Sequence, residues 1–356
     1  RDRMLQVYQL DAERLKTERL GSKDLGSDIK HVVPLGSYCI TGESGKTGTW
    51  LITWKVSGKD VTRVAAEKID APELKSVVRS GSLLCALTGG KSPELLVYTL
   101  SEGGTLTRQS SLSLDNAAHL WSGVGGVIVH QSARGLSLAG LPRPEGISFI
   151  DLADPARPKQ SNAINIKPEA AIGGDGFIVV LPESRTWVRT CHAYSYNGTS
   201  LTETGKCSID YISGEVKAVA LARRVVFVTS YNSRAVFIDD KGVPKSDRWR
   251  LVPEGAACVG GDLLICTGNW QGGRVWQQPS ASQEARPVLL GSAPSSSTIG
   301  YMKRRTRRLL KTLAKNNSRT AYVELAHATL KASDGFDLNH NWALAEIIYV
   351  GSGRLQ

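Results

Sequence analysis

Several residue types and patterns are scarce in this chain, and each scarcity excludes something. Its 356 residues include two methionines and five phenylalanines. No apolar run reaches the roughly 18 residues that a membrane-spanning helix needs, so no such helix is expected. The six histidines, at 31, 119, 130, 192, 327 and 340, show neither HxH nor HExxH spacing, so no metal site is expected. The six cysteines, at 39, 85, 191, 207, 258 and 266, contain no CxxC pair. Four of them lie in apolar runs ("SYCIT", "LLCAL", "AACVG", "LLICT"), where cysteine behaves as a small buried hydrophobe. That usage predicts reduced thiols and a cytoplasmic, intracellular setting.

Charge is plentiful and unevenly spread. The net charge is +11. Residues 1–300 carry 34 basic and 29 acidic side chains, whereas residues 301–356 carry 10 and 4. The tail is chemically unlike the body.

The body repeats itself. "LQVYQLDAERLKTERL" (5–20) reads as strand, turn and strand. The design returns at 50–69, 95–114, 147–166, 192–209, 235–252 and 274–290, making seven outer hairpins. Anchored on Tyr8, Trp54, Tyr98, Ile150, Tyr194, Ile238 and Trp276, the spacings are 46, 44, 52, 44, 44 and 38. Between them lie six inner hairpins at 33–42, 77–89, 120–132, 171–183, 218–230 and 257–268, each a short apolar strand, a tight turn and a more apolar strand. In "WLITWKV", Trp50, Ile52, Trp54 and Val56 share one face of a strand, as a period of two requires. The turns hold Asp-Pro, Asn-Gly and Gly-Gly, which suit chain reversal. One unit is therefore four strands in about 44 residues, the pattern of sheets that bury their apolar faces against one another around an axis.

On these repeats the chain resembles the β-propeller repeat proteins over residues 4–291, WD40-like in period. No Gly-His or Trp-Asp pair closes a repeat, and "FIDLADPARPKQ" (149–160) is similar to the DPxxP turn of LVIVD-type bacterial propeller repeats. The resemblance implies an all-β, seven-bladed propeller over residues 1–300; the periodicity of the tail adds a short helical segment over 301–356. The seventh inner hairpin is expected before residue 1, at 293–301, or at 345–353.

Motifs that suggest chemistry mostly dissolve. "ITGESGKTGTW" (40–50) looks like a phosphate-binding loop, but residue 40 is Ile and Gly42 stands only three before Gly45. A phosphate loop needs four residues between its glycines, and then a helix. A hairpin turn is expected at 42–48 and no nucleotide. "GLSLAG" (135–140) departs from Gly-x-Ser-x-Gly at Ala139, leaving 131–146 as a long contact loop. Asp239 and Asp240 are expected in a solvated turn. No catalytic residue, metal or cofactor follows from these patterns.

The tail carries the remaining signal. "YMKRRTRRLLKTLAK" (301–315) has seven basic residues and no acid. Met302, Thr306, Leu309, Leu310 and Leu313 fall on one face of a helix. Lys303, Arg304, Arg305, Arg307, Arg308, Lys311 and Lys315 are the expected contact residues, for a partner protein or for nucleic-acid phosphates. A membrane surface is disfavoured because the apolar face lacks Trp and Phe. The expectation is thus a non-enzymatic interaction scaffold, a subunit of a larger assembly with the basic helix as docking element. Two alternatives stand beside it: a nucleic-acid-associated subunit, and a propeller-fold enzyme that a cluster of carboxylates and histidines would reveal.

Overall fold

The computed structural model describes residues 4–293 with breaks, the longest at 133–144, 248–256 and 278–287. Every described regular element is a strand. A two-stranded hairpin, β1 (Met4–Asp11) and β2 (Lys16–Asp24), comes first. Six four-stranded sheets follow, each with its strands in chain order. They are β3 (Ile29–Leu35), β4 (Tyr38–Gly45), β5 (Gly48–Ser57) and β6 (Asp60–Ile69); β7 (Leu74–Ser80), β8 (Leu83–Thr88), β9 (Glu94–Leu100) and β10 (Leu106–Ser113); β11 (Ala117–Gly123), β12 (Gly126–Gln131), β13 (Gly146–Asp151) and β14 (Lys159–Gln160). The last three are β15 (Pro168–Gly174), β16 (Phe177–Pro182), β17 (Val188–Tyr196) and β18 (Leu201–Asp210); β19 (Lys217–Leu221), β20 (Arg224–Val228), β21 (Ser233–Ile238) and β22 (Pro244–Asp247); and β23 (Ala257–Gly260), β24 (Leu263–Gly268), β25 (Gly272–Gln277) and β26 (Val288–Ala293).

The four-strand unit is therefore present, but the described sheets are six plus a hairpin, not seven. β1 and β2 are an outer hairpin whose inner partners are not among the described strands. Residues 294–301 and 345–353, two expected sources of that pair, lie outside the described residues, as does the whole basic segment with Lys303 to Lys315.

The chain divides into two compact units: residues 1–9, 18–209 and 238–246, and residues 10–17, 210–237 and 247–356. In the first unit, the leading strands of consecutive sheets, β3, β7, β11 and β15, are neighbours. Strands such as "LLCAL" and "GVIVH" read as unbroken apolar runs because both of their faces are buried. Leu84 and Ala86 of β8 pack with Ile40 and Leu51 of the preceding sheet. Cys85 and Leu87 turn the other way, onto Leu120, Val127 and Val129 of the following one. Ile128 of β12 then points onward to Ile178 and Val180 of β16. Each full burial of such a side chain contributes about 1.5–3 kcal/mol.

The first turn of a sheet has a recurring form. It is two residues long and holds a left-handed residue: Gly125 at φ 73° between β11 and β12, and Gly176 at φ 75° between β15 and β16. In two other sheets the left-handed residue is the first of the two: Gly81 at φ 59° between β7 and β8, and Ala222 at φ 51° between β19 and β20. β4 and β5 pair antiparallel up to Gly45 and Gly48, so the chain beside Thr47 leads into a strand, where a phosphate-binding loop would lead into a helix. In the second unit, Arg224 is 1% exposed and its Nε donates to Asp247 Oδ2 at 2.6 Å, while its guanidinium lies 5.4 Å from the centre of the Phe237 ring. A buried guanidinium is tolerable only when paired in this way.

Candidate active site

Every strand reverses the one before it, so in each sheet the connection from second to third strand opens on the same edge as the connection leading to the next sheet. Among the first unit's connections of these two kinds are residues 89–93, 114–116, 132–145 and 161–167. Described residues from all four line a cavity of about 830 Å³, the third contributing its two ends and the fourth Lys167. Gly90, Lys91 and Pro93 come from the first, Asn116 from the second, Ser132 and Glu145 from the third, and Lys167 from the fourth. Lys75 at the start of β7 and His130 near the end of β12 complete the polar lining. The long 131–146 loop of the sequence reading is represented here by its two ends; residues 133–144 and the serine motif at 135–140 lie outside the described residues.

His130 is the chemical centre of this cavity. Its Nε2 lies 3.1 Å from Glu145 Oε1, and both side chains are mostly buried, at 16% and 21% exposure. A carboxylate that accepts the Nε2 proton leaves the lone pair on Nδ1, which makes the imidazole an oriented base. Lys167 Nζ stands 3.9 Å from the other Glu145 oxygen and 2.6 Å from Glu183 Oε2. Lys75 Nζ donates to the Ala117 carbonyl at 2.8 Å. With Lys91, three lysines line one cavity. Asn116 sits at φ 53°. Its Nδ2 is buried and has no hydrogen-bond partner, so a donor at the cavity wall lacks an acceptor.

A second histidine stands beside the first. His119 of β11 is directly opposite His130 of β12, so the two side chains share a sheet face. Trp121 bridges them, edge-on to His119 at 4.8 Å and stacked on His130 at 6.0 Å. The buried Ser76 hydroxyl accepts the Leu120 N–H at 3.2 Å and lies 2.9 Å from His119 Nδ1. That contact ties the His119 ring, through Nδ1, to a side chain of the preceding sheet. Shielding of the ring from water, then the neighbouring His130 and His31, push the His119 pKa down to about 4, although the outer part of the residue stays open to solvent. His119 is therefore neutral at neutral pH, next to a base. His31 is lowered in the same direction, mainly by burial, and its Nε2 lies 3.2 Å from the Leu74 carbonyl oxygen.

The sequence reading found no converging acid–base set, and this one corrects it. Spacing rules for histidine missed it because its members come from different strands. Among the described residues no group of His, Cys, Asp and Glu is arranged to hold a metal. Asp239 and Asp240 do sit at a turn, where Asp239 Oδ1 accepts the N–H groups of Lys241 and Val243 at 3.0 and 2.9 Å.

No protein-family model matches the chain, and no curated protein matches it. Solved structures do resemble it. One is a "putative 6-phosphogluconolactonase" from Bacteroides uniformis, with TM-score 0.57 and 12% identity, covering 80% of this chain and 90% of that one. Another bears the same description, from Bacteroides fragilis, with TM-score 0.52 and 11% identity over 80% and 88%. A third is a functionally unknown protein from Desulfotomaculum acetoxidans, with TM-score 0.55 and 10% identity over 81% and 95%. At these identities the likeness is one of fold, and with the meandering four-stranded sheets it supports a β-propeller class. It also overturns the expectation of a non-enzymatic scaffold. Two of the chains sharing the fold carry the name of an enzyme, and the acid–base set that the scaffold reading found missing is present.

Proposed function

We propose that this chain is a propeller-fold hydrolase acting on a lactone that carries an anionic group, with the His130–Glu145 pair as its base. The observation that carries the reading is that pair, set in a cavity lined by Lys75, Lys91 and Lys167. The names of the two Bacteroides proteins support the substrate class. Hydrolysis of a lactone needs a base to take a proton from water as its oxygen attacks the carbonyl carbon. It also needs a donor or cation for the oxygen that becomes negative, and a hold on the substrate. His130 takes the water proton, oriented by Glu145. The lysine ammonium groups hold the negative oxygens. The ring C–O bond then breaks, and its oxygen takes the proton from His130 to leave as the hydroxyl of the open acid.

The test is proton release from 6-phosphogluconolactone, followed with a pH indicator against the spontaneous rate. The expected result is acceleration by the wild-type chain and a loss of about 100-fold or more in kcat/KM for His130→Gln. Glu145→Gln is expected to lose about tenfold and to shift the pH profile. A wild-type rate equal to the spontaneous one, with this lactone and its unphosphorylated counterpart, removes the reading.

A further inference from the structure

The three lysines that line the cavity are not equivalent. Lys167 Nζ is engaged by Glu183 and lies near Glu145, the partner of His130. Its charge is offset by carboxylates, and it stands beside the base. Lys75 and Lys91 have no carboxylate partner among the described residues. We propose that these two lysines form the subsite for the anionic group of the substrate, a phosphate monoester, while Lys167 stays with the reacting end. The assignment rests on the hydrolase reading above and divides its lysines by task.

The strands place Lys75. β7 pairs with β8 through Leu74 and Thr88, then through Ser76 and Leu87, so Lys75 is left over as a bulge. A bulge re-aims the side chain that it carries. Lys75 Nζ then donates to the carbonyl of Ala117, a residue that lines the cavity together with Asn116. An ammonium has three N–H bonds. This one gives a single bond to a neutral acceptor and keeps two for a ligand. β11 has the same irregularity between Ala117 and His119, and the residue left over there, Ala118, also lines the cavity. A methyl group at that place takes up little of the space. Lys91 comes from the connection 89–93, where it is solvent-exposed and follows Gly90 at φ 112°.

Charge selects the ligand. Two ammonium groups without carboxylate partners match a phosphate dianion, whereas a carboxylate group would leave one of them unanswered. Lys91 also borders a second cavity of about 400 Å³, where the other charged groups are Asp70, Glu94 and Arg108. There two carboxylates stand against two cations, so the lining is balanced without a ligand. In the first cavity three lysines stand against Glu145.

The experiment measures binding of inorganic phosphate to the full-length chain by calorimetry at about pH 8, where phosphate is mostly the dianion. The wild-type chain should bind it, and acetate at least about tenfold more weakly. Lys75→Met and Lys91→Met should each raise the Kd for phosphate about tenfold or more, the cost of one charged hydrogen bond. Lys167→Met and Arg108→Met should change it less than about threefold. In turnover, Lys91→Met should lower the ratio of kcat/KM for a phosphorylated lactone over its unphosphorylated counterpart. The proposal is overturned if the wild-type chain holds no phosphate, or if Lys75→Met and Lys91→Met leave its affinity unchanged. Loss of binding in Arg108→Met would put the anion in the second cavity and overturn it as well. Lys91 is exposed, so its variant decides even where Lys75→Met fails to fold. Because binding is read without turnover, a chain that holds phosphate in this way but opens no lactone upholds the subsite and removes only the activity.

Discussion

Residue by residue, the candidate site turns on one hydroxyl. Ser76 takes a backbone N–H of β11 and lies within hydrogen-bond reach of His119 Nδ1, so a buried serine fixes the imidazole by that nitrogen. This has a measurable pH signature. The folded pKa of His119 is about 4, against an ordinary 6.5. Between those values the unfolded chain binds a proton that the folded chain refuses, so stability falls as pH drops through that window and is fully present above it. His31 acts in the same sense. In urea titrations the wild-type midpoint should therefore fall between pH 7.5 and pH 4.5, and His119→Gln should shrink the fall without abolishing it. An equal fall in both proteins would remove His119 from this role. The pairing was partly legible beforehand. In "HLWSGVGGVIVH", a two-residue turn at Val124 and Gly125 places residues 119 and 130 opposite each other by counting alone. What counting could not supply was Glu145, which reaches His130 from beyond a long loop, or Ser76 and Lys167, which come from neighbouring sheets.

At the level of strands and turns, most of the architecture was readable because its signals are local. Alternation marked the strands, and Gly, Asn and Asp marked the reversals. The count of sheets was less readable, since a hairpin such as β1–β2 looks the same whether or not an inner pair completes it. Two element-level changes test the physical account. Ala222 is solvent-exposed and left-handed at the turn position that Gly81 fills between β7 and β8. Removing a Cβ there relieves about 1 kcal/mol of backbone strain, less some added chain entropy. Ala222→Gly should thus raise the melting temperature or leave it unchanged, and a clear drop would contradict the argument. The second change concerns Arg189 of β17, which is buried and paired with Glu169 of β15. Desolvation raises the pKa of Glu169, and the Arg189 charge opposes that rise. Arg189→Met strands the carboxylate and should cost about 2–3 kcal/mol in denaturant unfolding, somewhat below the value for a fully buried pair because Glu169 keeps some water. The double variant Arg189→Met with Glu169→Leu should recover part of the loss.

For the molecule as a whole, the net charge of +11 bears on how an anionic substrate arrives. Long-range attraction of this kind is screened over about 8–10 Å at ordinary salt. If the lactonase reading holds, kcat/KM for a phosphorylated lactone should fall several-fold between low and high salt, while an uncharged lactone should be indifferent. Equal behaviour of the two substrates would show that the lysines act only at contact, or not at all. The strict reversal of strands also sorts the connections by side. In the first unit, the two-residue reversals with left-handed Gly125 and Gly176 lie on one side. On the other lie connections that line the cavity, among them 114–116 and the two ends of the longer 132–145. An inserted residue on the first side would shift the partnering of two strands and turn their apolar side chains outward. A lengthened segment on the second side leaves the ladder beneath it intact, so affinity tags, reporter peptides or altered substrate preferences should be introduced there.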